Sequence, residues 1–301
     1  MLWMTMLLVV GCARPTQESD LLIVFGGDVM VGRGVARACQ QHGPDYPFRH
    51  IASRLQQADL AFANLEGPLT DRPTRIPRIN ALRGAPEMAP VLQRAGFTVL
   101  SVANNHSIDY RRVGLAQTRE VLSAAGITPV GAGPSLAEAE RGSLVTVRGL
   151  TVGFLAYNGL PMANFIPAPD RESFLALNEA SLRRTIPALR QRCQMLVVSF
   201  HWGQEGQREV TPDQRRLAHL AADLGADVIV GHHSHVRSEI ERYRQSLLAY
   251  SLGNLVFDEL SYGGNEGYLL TCRFSRDGSL QGFSTTPTRV VNCQALVGTT
   301  R

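Results

Sequence analysis

Apolar runs closed by polar residues recur along this chain. Leu21 to Phe25 is unbroken and apolar and ends in Gly26-Gly27-Asp28. This predicts a strand buried on both faces, with Asp28 at its carboxyl end. Phe48 to Gln57 has the spacing of an amphipathic helix, and Ala58 to Ala63 predicts a second strand that delivers Asn64 and Glu66. Residues 67–83 mix Pro and Arg without a period and predict a loop. Pro86 to Ala95 predicts a helix with Pro near its start. Phe97 to Ala103 predicts a third strand ahead of Asn104-Asn105-His106, and Gly114 to Ala125 a helix stopped by Gly126.

The second half repeats the scheme. Leu144 to Val147 and Val152 to Tyr157 predict a hairpin around Arg148-Gly149, and Asn178 to Gln191 a helix. Met195 to Phe200 predicts a strand delivering His201, and Thr211-Pro212-Asp213 opens a helix that runs to Leu224. Val228 to Val230 predicts a strand ahead of Gly231-His232-His233-Ser234-His235. Four late segments, at 239–243, 247–250, 268–274 and 280–286, predict antiparallel strands. No linker or composition shift divides residues 21–290, so one domain is expected, followed by a tail at 291–301. Strands alternating with helices predict a layered α/β sandwich.

Composition adds little constraint beyond an ordinary globular protein: 44% hydrophobic and 19% charged residues in a chain of 301. The net charge is +4 and no lysine occurs, so arginine carries all the fixed basic charge. The arginines are dispersed, and no dense basic run points to nucleic acid, which is not expected as a partner.

The amino terminus changes the picture. Met1 to Val10 is almost wholly apolar, too short for the roughly 20 residues of a spanning helix and of the length of a signal-peptide apolar region. Gly11-Cys12 resembles the lipidation site of bacterial lipoproteins, and the polar segment Arg14 to Asp20 suits a tether. No Lys or Arg precedes the apolar run. Residues 1–20 are therefore expected to be a lipoprotein signal and tether, and the protein an exported, membrane-anchored lipoprotein of the cell envelope. The remaining cysteines, Cys39, Cys193, Cys272 and Cys293, form no C-x-x-C pair, which argues against a zinc–thiolate site. Cys272 and Cys293 are either bridged across late strands or left as buried thiols.

The chemistry-bearing residues stand at predicted strand ends: Asp28, Asn64 with Glu66, Asn105 with His106, His201, and His233 with His235. Side chains outside the carboxyl ends of strands in an α/β sheet converge on one region. Carboxylate, amide oxygen and imidazole without thiolate suit a hard-to-borderline divalent cation. Alternation along a strand puts His233 and His235 on the same side. His232 reads as a residue that shapes this loop or supports a ligand, His219 as structural, His42 and His50 as surface residues, and Trp202 as packing.

The blocks Gly27-Asp28-Val29-Met30, Asn64-Leu65-Glu66-Gly67, Asn104-Asn105-His106, Phe200-His201-Trp202-Gly203 and Gly231-His232-His233-Ser234-His235 resemble, in order and rough spacing, those of the metallophosphoesterases. With Tyr250-Ser251-Leu252-Gly253-Asn254-Leu255-Val256-Phe257-Asp258 they are most similar to the poly-γ-glutamate capsule biosynthesis (CapA) family, over about residues 21–260. The resemblance implies an α/β/β/α sandwich of the metallophosphoesterase type, two mixed sheets flanked by helices. It implies one or two divalent ions, with Mn, Zn, Fe and Mg all open. Glu66 would bridge, Asn105, His201 and His233 would complete one ion, Asp28 and His235 would hold the other, and His106 would act as general acid or phosphate contact. Met30 stands where the metallophosphoesterase pattern has a ligand histidine, and a thioether is a poor ligand for such ions.

The function implied is biosynthesis or export of an anionic capsule-type polymer such as poly-γ-glutamate, within a membrane-bound synthesis complex. The alternatives are a metal-dependent phosphoesterase acting on a small or lipid-linked phosphorylated substrate, and a non-catalytic, metal-stabilised binding module.

Overall fold

The computed structural model describes residues 20–77, 79–162, 165–260 and 264–298. The expected signal, the Cys12 site and most of the tether lie outside the described residues. The chain begins with β1 (Leu21–Val29), α1 (Arg33–His42), a 3-10 turn at Tyr46–Phe48, and α2 (Ala52–Gln56). It continues through β2 (Leu60–Leu65), α3 (Met88–Ala95), β3 (Val99–Ser101), α4 (Arg111–Ala124) and β4 (Thr128–Val130). Then follow β5 (Ala132–Gly133), α5 (Leu136–Glu140), β6 (Ser143–Val147), β7 (Leu150–Asn158), β8 (Ser173–Ala176), α6 (Glu179–Arg190) and β9 (Met195–His201). The last part comprises α7 (Pro212–Asp223), β10 (Val228–His232), β11 (Ile240–Tyr243), β12 (Ser246–Ala249), β13 (Asn254–Val256), β14 (Glu266–Phe274), β15 (Leu280–Val291) and β16 (Gln294–Val297).

Two 8-stranded sheets result, one ordered β16-β15-β14-β1-β2-β3-β4 with β13 beside β1, the other β11-β12-β10-β9-β7-β8-β5 with β6 beside β7. Both are mixed. β1 runs parallel to β2 and β13 but antiparallel to β14, and β9 runs parallel to β7 and β10 while β11 and β12 form an antiparallel pair. This is the expected sandwich of two mixed sheets flanked by helices.

Period-two alternation builds the layers. On β9, Met195 and Val197 join the core shared with β1 and β2, whereas Leu196, Val198 and Phe200 join a second core with Leu182, Ile186 and Leu189 of α6 and Ala218 and Ala221 of α7. Phe62 of β2 stacks on Phe154 of β7 at 5.9 Å between centroids, a direct contact of the two sheets. α7 starts at the N-cap Thr211 with Pro212 in its first turn, as expected, and Gln214 completes a capping box with Thr211.

Several expectations need correction. The tail at 291–301 contains β16, which pairs with β15 and extends the first sheet. α1 had no sequence forecast, because only Val35 is buried in it and its other residues are mostly polar or small. The expected helix at 48–57 splits at Arg49–Ile51 into a 3-10 turn and α2. Of the late strands expected to be antiparallel, β12 also pairs in parallel with β10. Cys272 and Cys293 are not bridged, and Cys39, Cys193, Cys272 and Cys293 are all free thiols.

Candidate metal centre

The carboxyl ends of β1, β2, β9 and β10 meet where the two sheets face each other. β1 can approach so closely because Gly27 has no side chain; a Cβ there would collide with the carbonyl oxygen of Gly253. Asp28 N donates to that same oxygen at 2.9 Å, which fixes the carboxylate next to β13.

Asp28, Glu66, Asn105, His106, His201, His233 and His235 all come together here, and all are buried. Two donor triads share one residue. Glu66 groups with His201 and His233, and separately with Asp28 and His235, with ligand atoms in each triad within 4.8 Å of one another. His235 Nε2 lies 3.8 Å from Glu66 Oε1, and His235 Nδ1 lies 3.6 Å from Asp28 Oδ2. Asn105 Oδ1 lies 2.9 Å from His201 Nε2. Carboxylate and amide oxygens and imidazole nitrogens at these separations, all on buried residues, form a donor set that fits a divalent cation.

A ring of supporting bonds holds the donors. Asn64 Nδ2 donates to Asp28 Oδ1 at 2.8 Å and lies 3.2 Å from His201 Nδ1, so one amide links the two sheets. Asn64 Oδ1 in turn accepts from Asn104 Nδ2 at 3.1 Å, whose nitrogen also donates to Leu65 O. His233 N donates to Asp28 Oδ2 at 3.0 Å. His235 Nδ1 lies 2.9 Å from Asn254 Oδ1. That contact sets the Nδ1–H tautomer, which leaves the Nε2 lone pair turned towards Glu66.

His233 and His235 reach the centre by a different route from the one expected. β10 ends at His232. His233 and His235 lie beyond it with φ of 90° and 60°, in the left-handed region. A turn, and not strand alternation, brings both imidazoles inward. Backbone of this kind costs free energy for a non-glycine residue and persists where surrounding contacts over-determine it. His232 points the other way, with ring nitrogens 3.3 Å from Gly26 O and 3.2 Å from Ser199 Oγ.

Burial governs the electrostatics. It pushes the Asp28 carboxyl up to about 7, with the neighbouring Glu66 charge adding to the rise. Burial holds His201 well below the usual imidazole range, reinforced by His233, and lowers His232 to about 4. His201 is therefore neutral at pH 7, the form an imidazole needs to ligate a metal.

His106 sits at the rim, its Nε2 3.8 Å from Glu66 Oε1 and its Nδ1 2.6 Å from Asp109 Oδ2. Asp109 was not singled out in the sequence, although it follows His106 by three residues. Its Oδ2 also accepts from Leu82 N at 2.7 Å, which ties the loop at 67–83 to the site. Asn254 carries no sequence signal beyond its block, and Asn64 none beyond its place at a strand end. Met30 is buried among core residues. Its sulfur accepts from Gly32 N at 3.0 Å, at the start of α1.

A cleft of about 1110 Å³ opens beside the centre, with Asn105 and His233 in its wall. Ile108, Met162 and Phe165 make it largely apolar, and Arg111 contributes a cation. No helix among the described residues is long and apolar enough to cross a membrane.

Comparison with known proteins agrees with this architecture. The family described as Bacterial capsule synthesis protein PGA_cap matches residues 22–259. The capsule biosynthesis protein CapA of Bacillus anthracis is 32% identical over 265 residues, covering 85% of this chain and 64% of the relative. The PGA biosynthesis protein CapA of Bacillus subtilis is 34% identical over 248 residues, covering 81% of this chain and 65% of the relative. This chain thus spans less than two thirds of either relative's length. Among solved structures, a hypothetical protein from Thermus thermophilus aligns with a TM-score of 0.56 at 18% identity, over 89% of this chain and 98% of that one. A 5'-nucleotidase precursor from the same organism aligns at 0.53 and 17% identity, over 92% of this chain and 54% of that one. At such identities the likeness is one of fold.

Proposed function

Since this chain belongs to the bacterial capsule synthesis family, we propose that it serves the biosynthesis or export of an anionic capsule-type polymer such as poly-γ-glutamate, through a divalent-metal centre built around Glu66. One observation carries the reading: within the matched region, Glu66 stands in two buried donor triads at once. A carboxylate placed between two donor sets can serve a pair of neighbouring ions. Asn105, His201 and His233 would hold one ion with Glu66, and Asp28 and His235 the other.

Such ions supply Lewis acidity and lower the pKa of bound water. The chain's own residues supply the rest. Asn64 and Asn254 fix the orientation of Asp28, His201 and His235. The cleft beside Asn105 and His233 offers apolar wall for the carbon skeleton of a substrate and Arg111 for an anionic group. Residues 1–20 would anchor the domain to the outer face of the membrane through Cys12, where a polymer-synthesis complex would be its partner.

The paired His106 and Asp109 favour a second reading, hydrolysis of a phosphoester. Asp109 would hold the His106 ring in place, and His106 Nε2 would give its proton to the leaving oxygen as the P–O bond breaks and a water oxygen bonds to phosphorus, the water releasing one proton to solvent, from which His106 is protonated again.

The test is genetic and biochemical. Deleting the gene in its host should reduce surface polymer, wild type should restore it, and Glu66→Gln should fail to restore it at equal protein level. Full restoration by Glu66→Gln would remove the metal centre from the function. Hydrolysis of p-nitrophenyl phosphate by purified protein with Mn²⁺, lost in His106→Ala, would favour the second reading. Cys12→Ser should release the protein from membranes.

A further inference from the structure

Beyond Glu66 and Asp28, a third carboxylate reaches the histidine side of the centre. Glu205 lies in the loop between β9 and α7 and is exposed to solvent. One of its oxygens and one ring nitrogen each of His233 and His235 lie within 4.8 Å of one another.

The loop is tied to the histidine turn. Gly206 N donates to Ser234 O at 2.8 Å, and Ser234 is the residue between the two histidines. At the start of the loop, Trp202 N donates to His232 O at 3.2 Å. Gly203 and Gly206 flank Glu205 with φ of 89° and 77°, a bend that side chains resist. The geometry that turns both histidines inward therefore also fixes the loop from which Glu205 extends.

Met30 gives this arrangement a chemical reason. Its sulfur is engaged with Gly32 N, and a thioether adds little for a hard cation. The centre is thus one strong donor short of the pattern it resembles, and a carboxylate suits the same ions as an imidazole. We propose that Glu205 is a metal ligand of this protein, a carboxylate arm carried by the loop after β9 that reaches past His233 to the ion held by Asp28 and His235, the one Met30 leaves short of a donor. This rests on the reading of the Glu66 cluster as a divalent-metal centre.

The experiment is a calorimetric titration of the full, metal-free chain with Mn²⁺, together with the visible absorption of the Co²⁺-loaded protein. Wild type, Glu205→Gln, Glu205→Ala, Glu209→Gln and Glu66→Gln are compared. Glu209 is in the same loop outside the donor triads and controls for charge. If Glu205 ligates, both Glu205 variants weaken one binding event by at least about tenfold, the range seen even for groups that only support a ligand. They also shift the Co²⁺ spectrum, while Glu209→Gln matches wild type. Because Glu205 is exposed, melting in EDTA should not change. Titrations and spectra of both Glu205 variants identical to wild type would overturn the proposal. In that event, loss of binding in Glu66→Gln would leave the metal centre itself standing. Failure of the wild type to bind Mn²⁺ or Co²⁺ would overturn both.

Discussion

The backbone N–H of His233 donates to Asp28 Oδ2 at 3.0 Å, a bond between the ends of β10 and β1 that crosses from one sheet to the other. It makes the Asp28 carboxylate part of the turn that presents His233 and His235. The other carboxylate oxygen accepts from Asn64. Asp28 is therefore a structural joint of the site as well as a member of the proposed metal centre.

Glu66→Gln should empty the centre. The amide keeps the shape but removes the negative charge common to both triads. Metal content after dialysis against Mn²⁺ should fall to background, measured by mass spectrometry of the ashed protein. Retention of a full complement would mean that Glu66 is not shared between ions.

Metal-free stability should respond to pH through Asp28. Its folded pKa, about 7, lies above the ordinary 3.8, so the folded state holds the proton more tightly. The contribution is fully present below about 3.8 and is lost as pH rises through about 7. His232 acts in the opposite sense. Its folded pKa of about 4 lies below the ordinary 6.5, so its contribution is present above 6.5 and is lost as pH falls through about 4. Asp28→Asn should remove the first trend and leave the second, read by urea denaturation in EDTA between pH 4 and 8. The same proton competes with metal, so Mn²⁺ affinity should increase up to about pH 7.

Asn254→Ala should damage the half of the centre that His235 serves. Asn254 fixes the His235 tautomer, and its own Nδ2 donates to Gly264 O at 2.5 Å. Losing a partner of this kind costs about 10–100-fold in metal affinity. The orphaned carbonyl costs about 1–3 kcal/mol of stability. Binding by the His201 half should change less, which a titration resolving two events would reveal. Equal weakening of both events would argue against separate halves.

Met30→His should tighten the weaker ion. The new imidazole must give up the contact that the Met30 sulfur makes with Gly32 N. The variant should therefore melt lower than wild type in EDTA and gain more from added Mn²⁺. If catalysis is limited by that ion, phosphoester hydrolysis should rise with it. Two tightly bound ions in the wild type, unchanged by the substitution, would remove Met30 as the reason for any weak site.

The sequence by itself determined the strands that carry the site. Leu21 to Phe25, Met195 to Phe200 and Val228 to Val230 are apolar runs that can only be buried, and a polar residue directly after such a run stands at a sheet edge. Asp28, Glu66, Asn105 and His201 were legible in this way, and His233 and His235 as residue types suited to a divalent cation, while the turn that presents the two histidines was not. Elements with little apolar signal were not. α1 buries only Val35, β5 has two residues, and β16 lies past the last clear hydrophobic run. Tertiary structure alone decided how the donors are held, because the supporting contacts join residues far apart in the chain. Asn64 meets His201 across 137 positions, and His233 meets Asp28 across 205. It also decided the left-handed turn at His233 and His235, the pairing of Asp109 with His106, and the approach of Glu205. A local hydrophobic pattern records which face of an element is buried. It carries no record of which distant polar group will satisfy a buried donor, since that depends on how two sheets are packed together.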